Sequence, residues 1–305
     1  MEPHASSLSG IGLTPSMRRA LMLRDAVFWG AMGALALLGT VVVLFVAWFL
    51  VGESLPLLEK GGVLRFFTDE GWWPTDGSFN LSPMVATSVA ITFGALLLVA
   101  PFSLAFSIFT TFRGRGAATR FLRMLTEASA AVPTVIFGLW GATVVVPLLG
   151  KVAPPGASLL AGIIVLSMMI FPTVTLLTQA ALEAVPRSYA QAASALGVSE
   201  STTMLRVVLP VAGHGIFSAL LLGAARAIGE TMVVLMVCGN IVQMPGALLD
   251  PVRTLTANIA LEMPYAMGDH RTSLFVSGLM MLLLVSAMVA VSEWMSLRGR
   301  ARLKA

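Results

Sequence analysis

Few charged residues, one cysteine and three histidines leave this sequence little room for most soluble chemistries. Asp, Glu, Lys and Arg make up 11% of 305 residues against 57% apolar, and mean hydropathy is +0.90. A soluble globular domain carries about 25% charge, so the chain belongs to the membrane class. Cys238 has no second cysteine with which to close a disulfide and lies in an apolar run, where packing is its role. His4, His214 and His270 are scattered, so no metal-ligand spacing arises. No G-x-x-x-x-G-K-[ST] stretch occurs, which removes a phosphate-cradling loop. The apolar runs hold no set of catalytic or metal-binding residues, which argues against an intramembrane enzyme. A formal charge of +4 and a pI near 9.8 point to nucleic acid only where the charges cluster on one face. Here they sit at the borders of apolar runs, so no nucleic-acid partner is expected and lipid is.

What is present is a series of spans. Val27 to Val51 is an unbroken apolar run, long enough at about 1.5 Å per residue to cross a hydrocarbon core of roughly 30 Å. It continues well past the cleavage-like Ala34-Leu35-Ala36 and reads as an uncleaved first span. Further spans are expected near 83–112, 125–149, 156–181, 211–241 and 273–295, six in all. The fold class is therefore all-α and polytopic, one transmembrane domain over 26–297 between a tail at 1–25 and a basic tail at 298–305. Thirteen basic residues, among them Arg18, Arg19, Arg24, Arg113, Arg123, Arg187 and Arg206, fall on one side of the spans, and five, Lys60, Arg65, Lys151, Arg253 and Arg271, on the other. By the positive-inside rule both termini are expected in the cytoplasm. Pro133, Gly138, Gly141 and Pro147 suit the third span poorly to a straight helix, and Pro172 does the same for the fourth.

The segment 52–82 is polar, with Glu53, Glu59, Asp69, Glu70 and Asp76 and the aromatics Phe66, Phe67, Trp72 and Trp73. It reads either as a water-interface aromatic belt or as a folded extracytoplasmic elaboration that touches a partner.

The stretch on which the chain is organised is 186–210, PRSYAQAASALGVSESTTMLRVVLP. Ala-rich residues 189–196 form a short helix. Gly197 supplies the positive φ that ends it, and Ser199 or Ser201 caps the next. An amphipathic surface connector is the alternative. The spacing Gln191-Ala192-Ala193, three residues, Gly197, nine residues, Val207-x-Leu209-Pro210 resembles the EAA loop of ABC-importer permeases, with Gln for the usual Glu and Val for the Ile. That resemblance implies coupling to an ATPase through Gln191, Ala192, Ala193, Gly197, Leu209 and Pro210.

Arg226 lies sixteen residues beyond Pro210, roughly 24 Å along a helix and deep in the bilayer. A charge there costs on the order of 2.5–3.5 kcal/mol, so it needs a partner or water. Glu230, at i+4, shares its face and is the expected partner. A structural ion pair is one reading. The other is an oxyanion contact through the planar donor fork of Arg226, with Asn240 and Gln243 as neutral donors or, for Asn240, as a turn former. The residues alone admit phosphate, sulfate or molybdate. The stretch 223–240, GAARAIGETMVVLMVCGN, together with VPTVIFGLWG at 132–141, the Trp-Trp-Pro segment and TLTANIALE, is similar to the PstC-type permease subunits of bacterial phosphate ABC importers. The likeness covers most of the chain after about residue 70. Gln191, and Thr87-Ser88 where relatives tend to have Gly-Thr, depart from it.

The resemblance implies a permease for inorganic phosphate in the bacterial inner membrane and no enzyme of its own. It also implies a second, related permease in a heterodimer, two ATPase subunits that hold ATP and Mg, and an extracytoplasmic phosphate-binding protein. Arg226, Glu230 and Asn240 then face the phosphate pathway, and no cofactor is bound by this chain. An ion-coupled secondary transporter accommodates Arg226 and Glu230, but it gives the 186–210 loop no task and calls for internal repeats that are not evident.

Overall fold

The computed structural model describes residues 15–114 and 116–302. Of the expected tails at 1–25 and 298–305, residues 1–14 and 303–305 lie outside them, as does Arg115, while 15–25 and 298–302 are helical. The chain divides at Gly52 into two units. The first is the leading part of helix α1, Pro15–Gly61; the second begins at Glu53 and holds everything else.

In the second unit a short helix α2, Arg65–Thr68, leads into a two-stranded antiparallel ribbon, β1 Trp72–Trp73 with β2 Ser78–Phe79. A 3-10 turn, Pro74–Asp76, and Gly77 at φ +72° join the strands. Two helices follow that set the bundle, α3 Ser82–Ile108 and, after α4 Ala117–Ala130, α5 Thr134–Trp140 and α6 Val146–Gly150, the long α7 Leu159–Glu183. Then come α8 Arg187–Ala195, α9 Glu200–Thr203, α10 Leu209–Ile228, α11 Met232–Val237, α12 Leu255–Glu262 and α13 Gly268–Arg302. Among the described residues five helices are long and apolar enough to cross a membrane, and the pair 117–130 and 134–150, bent by 97°, makes the sixth crossing if it is one span. The all-helical polytopic expectation holds.

Two spans are broken, the third as its prolines and glycines lead one to expect and the fifth against expectation. The third breaks because Pro133 has no N–H to continue α4 and restricts Val132 before it. The fifth, expected over 211–241, stops at Ile228 and resumes as α11, which ends at Val237, and Gly239 is bridged in parallel to Val252. By contrast α7 passes Pro172 without interruption. Two π-helical turns, Gly141–Val145 and Met204–Val208, each end just before a helix with proline at its second position, Pro147 and Pro210. A proline crowds the carbonyl four residues back, and a widened turn there relieves the clash.

The core lies where α7 packs on α3 and α10. Val165, Leu166, Ile170 and Val174 meet Ile91, Ala95, Val99, Ala227 and Val234. Small residues let these backbones approach: a Cβ built on Gly223 would lie 2.5 Å from Val174, and one on Gly162 would lie 2.6 Å from the Cys238 sulfur. Cys238 is thus a buried packing residue. The 52–82 segment is folded: Phe66, Trp72, Phe79 and Leu81 are buried with Leu57, Met84, Leu255 and Leu274. The two tryptophans part company, Trp72 being 6% exposed and Trp73 63%. Strand alternation explains it, since neighbours on a strand point to opposite faces.

Candidate functional site

Three clusters carry the polar chemistry: the break after α10, a carboxylate hub at the far end of the bundle, and the loop at 186–210.

At the break, Ile228 is the last helical residue and Glu230 turns its side chain forward. Its Oε1 accepts from the Met232 and Val233 amides at 3.1 and 3.4 Å, so it caps α11 in the manner of an N-terminal acid. Its own carbonyl accepts from Thr256 Oγ1 at 2.8 Å. Thr254 caps α12 through the Ala257 amide at 3.2 Å, and the Leu255 amide donates to Ser88 Oγ at 3.0 Å. The break is thereby fastened through α12 to α3. The expected Arg226–Glu230 pair does not form, because ending the helix at Ile228 takes residue 230 off the turn above Arg226. Arg226 stands exposed on the last turn of α10 with no ion pair or hydrogen bond among the described residues. Leu222 and Met232, also exposed, lie on either side of it in the chain.

Asn240 is not brought to the same place. It follows α11 while Glu230 precedes it, and six helical residues separate them by about 9 Å. Its φ is +58°, a conformation asparagine tolerates better than most residues. Its Nδ2 donates to Leu235 O at 2.7 Å, its amide to Val252 O at 3.1 Å, and its carbonyl accepts from Arg253 Nε at 2.8 Å. Turn formation accounts for these bonds, and Oδ1 is left buried without a partner. Gln243 is likewise engaged, with Pro251 O at 2.7 Å.

The hub is a feature that sequence reasoning missed. Glu262 Oε1 meets Arg253 Nη1 at 2.5 Å, while Oε2 accepts from Trp72 Nε1 at 2.9 Å and contacts His270 Nε2 at 2.8 Å. Arg253 Nη1 also reaches Asn258 Oδ1 at 3.0 Å. Nearby, Lys60 pairs with Asp269 at 2.9 Å. Arg253 and Glu262 wall a cavity of about 800 Å³ together with Trp73, Asn80, Asn240 and Gln243.

The loop is built as its spacing indicates. Gly197 has φ +73°. The Val198 amide donates to Ala193 O at 3.1 Å and the Gly197 amide to Ser194 O at 3.0 Å, the paired bonds of a Schellman ending. Ser199 Oγ then accepts from the Thr202 amide at 3.3 Å and caps α9. Ala193 is buried, Gln191 and Ala192 are exposed, Leu209 packs inward and Pro210 is exposed. Tyr189 and Leu196 also face outward, 46% and 82% exposed. A Cβ at Gly197 would touch nothing within 4 Å, so Gly197→Ala tests backbone conformation alone. It should cost about 1 kcal/mol of loop stability, and Gly197→Val about 1–3 kcal/mol, read as faster hydrogen exchange over 187–203. Equal exchange in all three proteins would show that the positive φ is not required.

Residues 103–300 match the sequence model of the family described as binding-protein-dependent transport system inner membrane component. The chain belongs to this family. Among its curated relatives, a probable ABC transporter permease protein, YqgH of Bacillus subtilis, is 34% identical over 78% of this chain and 79% of its own length. Phosphate transport system permease proteins PstC are 30% identical in Mesorhizobium japonicum, over 93% of each chain, and 29% in Pasteurella multocida, over 76% of this chain and 79% of that one. Among solved structures, an inward-facing MetNI methionine ABC transporter aligns with TM-score 0.57 at 17% identity over 72% of this chain and 95% of its own. An amino acid ABC transporter aligns at 0.53 and 15%, over 70% and 92%. At these identities the structures speak to the fold, which is that of a transport-system membrane component.

Proposed function

We propose that the chain is the permease subunit of an ATP-driven importer of inorganic phosphate. The observation that carries this is Arg226, an exposed guanidinium with no partner among the described residues, on an otherwise apolar span, in a chain whose full-length relatives include phosphate permeases. A permanent charge does not face lipid at that depth without cost, so the surface around it belongs to a water-filled path or to an apposed subunit. The Glu230 carboxylate is engaged with two amides and does not neutralise it. The free planar fork of Arg226 suits the oxygens of a tetrahedral oxyanion.

The reading brings its assembly with it. Arg226 lines one side of a path that a second, related permease completes. Two ATPase subunits, which hold ATP and Mg, dock on Gln191, Ala192 and the exposed Tyr189 and Leu196. An extracytoplasmic phosphate-binding protein delivers cargo at the opposite end, over the cavity beside Glu262. The side on which the basic residues gather supports a cytoplasmic 186–210 loop and cytoplasmic termini in a bacterial inner-membrane protein. The test is uptake by vesicles containing the purified complex. Phosphate should accumulate only with internal ATP and all partner subunits, and sulfate and molybdate should not compete. Uptake driven by an ion gradient in this chain alone would refute the ABC reading, and equal competition by sulfate would refute the cargo.

A further inference from the structure

Near the loop, one guanidinium ties together the ends of two helices. The C-terminal extension of α3 is a π-helical turn, Phe109–Arg113, in which the Gly114 amide donates to Phe109 O at 2.7 Å. That bond bypasses the Thr110 carbonyl, which instead accepts from Arg123 Nη2 at 3.0 Å. The same nitrogen lies 3.0 Å from Glu183 Oε1, and Glu183 is the last residue of α7, four before α8 begins. Both helix ends carry partial negative charge and unpaired carbonyls, so a cation between them is held by both. Beneath it Gln179 Nε2 donates to the buried Thr110 hydroxyl at 2.7 Å, and Ser107 Oγ to Thr175 O at 3.1 Å.

Arg123 belongs to neither helix. It sits on α4, the arm of the third span that is bent 97° from its continuation. Its Nε is buried without a partner among the described residues, while one oxygen of Glu183 is engaged at Nη2. Nε and Nη2 share one edge of the guanidinium, so the free donor is the one that a bidentate carboxylate contact, the stronger arrangement, would use. The one-point contact thus leaves a stronger one open to the same two side chains.

We infer that Arg123 is a positioning residue that passes movement of the coupling loop, through Glu183, to the bent third span. This rests on the reading of the chain as an ATP-driven permease. Breaking the contact should uncouple hydrolysis from transport rather than abolish either by misfolding.

The test uses the whole complex in vesicles. In Arg123→Gln, phosphate moved per ATP hydrolysed should fall by about tenfold, in the range usual for linked sites, while basal hydrolysis and assembly stay near the parent level. Glu183→Gln, which leaves the Thr110 bond in place, should lower the ratio by about threefold. A cargo-independent readout is a cysteine at Ala128 on α4 in a Cys238→Ala background. Its thiol reactivity should change on ATP binding in the parent and not in Arg123→Gln. An unaltered transport-to-hydrolysis ratio, or an ATP response of the Ala128 cysteine that persists in Arg123→Gln, would each overturn the inference. Should Arg123→Gln not assemble, Glu183→Gln decides, since its side chain is half exposed and an unaltered ratio there overturns the inference equally. Failure of the unsubstituted complex to take up phosphate would count against the cargo assignment alone, because the thiol response does not depend on it.

Discussion

Arg226→Ala should leave the complex assembled and hydrolysing ATP while lowering phosphate uptake by about a hundredfold, the equivalent of about 2.7 kcal/mol of charge-assisted hydrogen bonding. The structural reason for expecting intact assembly is that the Arg226 side chain has no partner among the described residues to strand. Had the i+4 pair formed, removing either member would leave a buried charge and cost about 3–5 kcal/mol of stability. Arg226→Lys should retain part of the function and lose about tenfold, because a point charge does not reproduce the planar fork. Glu230 separates from it in this test. Glu230→Gln keeps an acceptor for the Met232 and Val233 amides and should change uptake by less than about threefold, whereas Glu230→Ala loses the cap and about 1 kcal/mol. The double change Arg226→Ala/Glu230→Ala should be additive with no rescue. Recovery of stability or uptake in the double variant would restore the ion-pair reading, and near-parental uptake by assembled Arg226→Ala would remove Arg226 from the path.

The parts of this molecule that were legible in the sequence are those written by neighbours in the chain. The loop is the clearest: an alanine-rich turn, Gly197 and Ser199 act within eight residues, and φ +73° and the Ser199 cap follow as expected. Pro133 announced the break in the third span for the same reason. Features that depend on distant partners were not legible. The spacing of Arg226 and Glu230 states an i+4 pair only while the helix lasts. Its end at Ile228 is held from outside by the Thr256 hydroxyl, which donates to the carbonyl of Glu230, 26 residues before it. Arg123 read as one of thirteen orientation charges, because its partners Thr110 and Glu183 lie 13 and 60 residues away on two other helices. Asn240 reads either as a neutral donor beside the pathway or as a turn former, and its positive φ and its bond to Leu235 O fit the turn.

Glu262 is the extreme case, since its donor Trp72 lies 190 residues away, and it gives the largest expected effect on stability. Three donors converge on one carboxylate: the Arg253 guanidinium, the Trp72 indole and the His270 ring. Trp72 belongs to the ribbon, Arg253 to the strand-like return after α11, and His270 to the first turn of α13, so the hub joins three segments that share little other polar contact. Glu262→Ala would leave the Trp72 N–H without its acceptor beneath the ribbon and Arg253 without its counter-charge. With both side chains of the ion pair about four-fifths buried, the cost should be about 2–4 kcal/mol. His270→Ala and Trp72→Phe each remove one hydrogen bond to the carboxylate and should cost about 1 kcal/mol, Trp72→Phe keeping its edge contact with Phe79. Unfolding followed in detergent by tryptophan fluorescence should rank Glu262→Ala below both, and limited proteolysis should open first at 65–82. A Glu262→Ala protein as stable as the parent would mean that Phe66, Phe79 and Leu81 hold the ribbon by apolar burial alone, and that the carboxylate is there for the surface the ribbon presents to a partner.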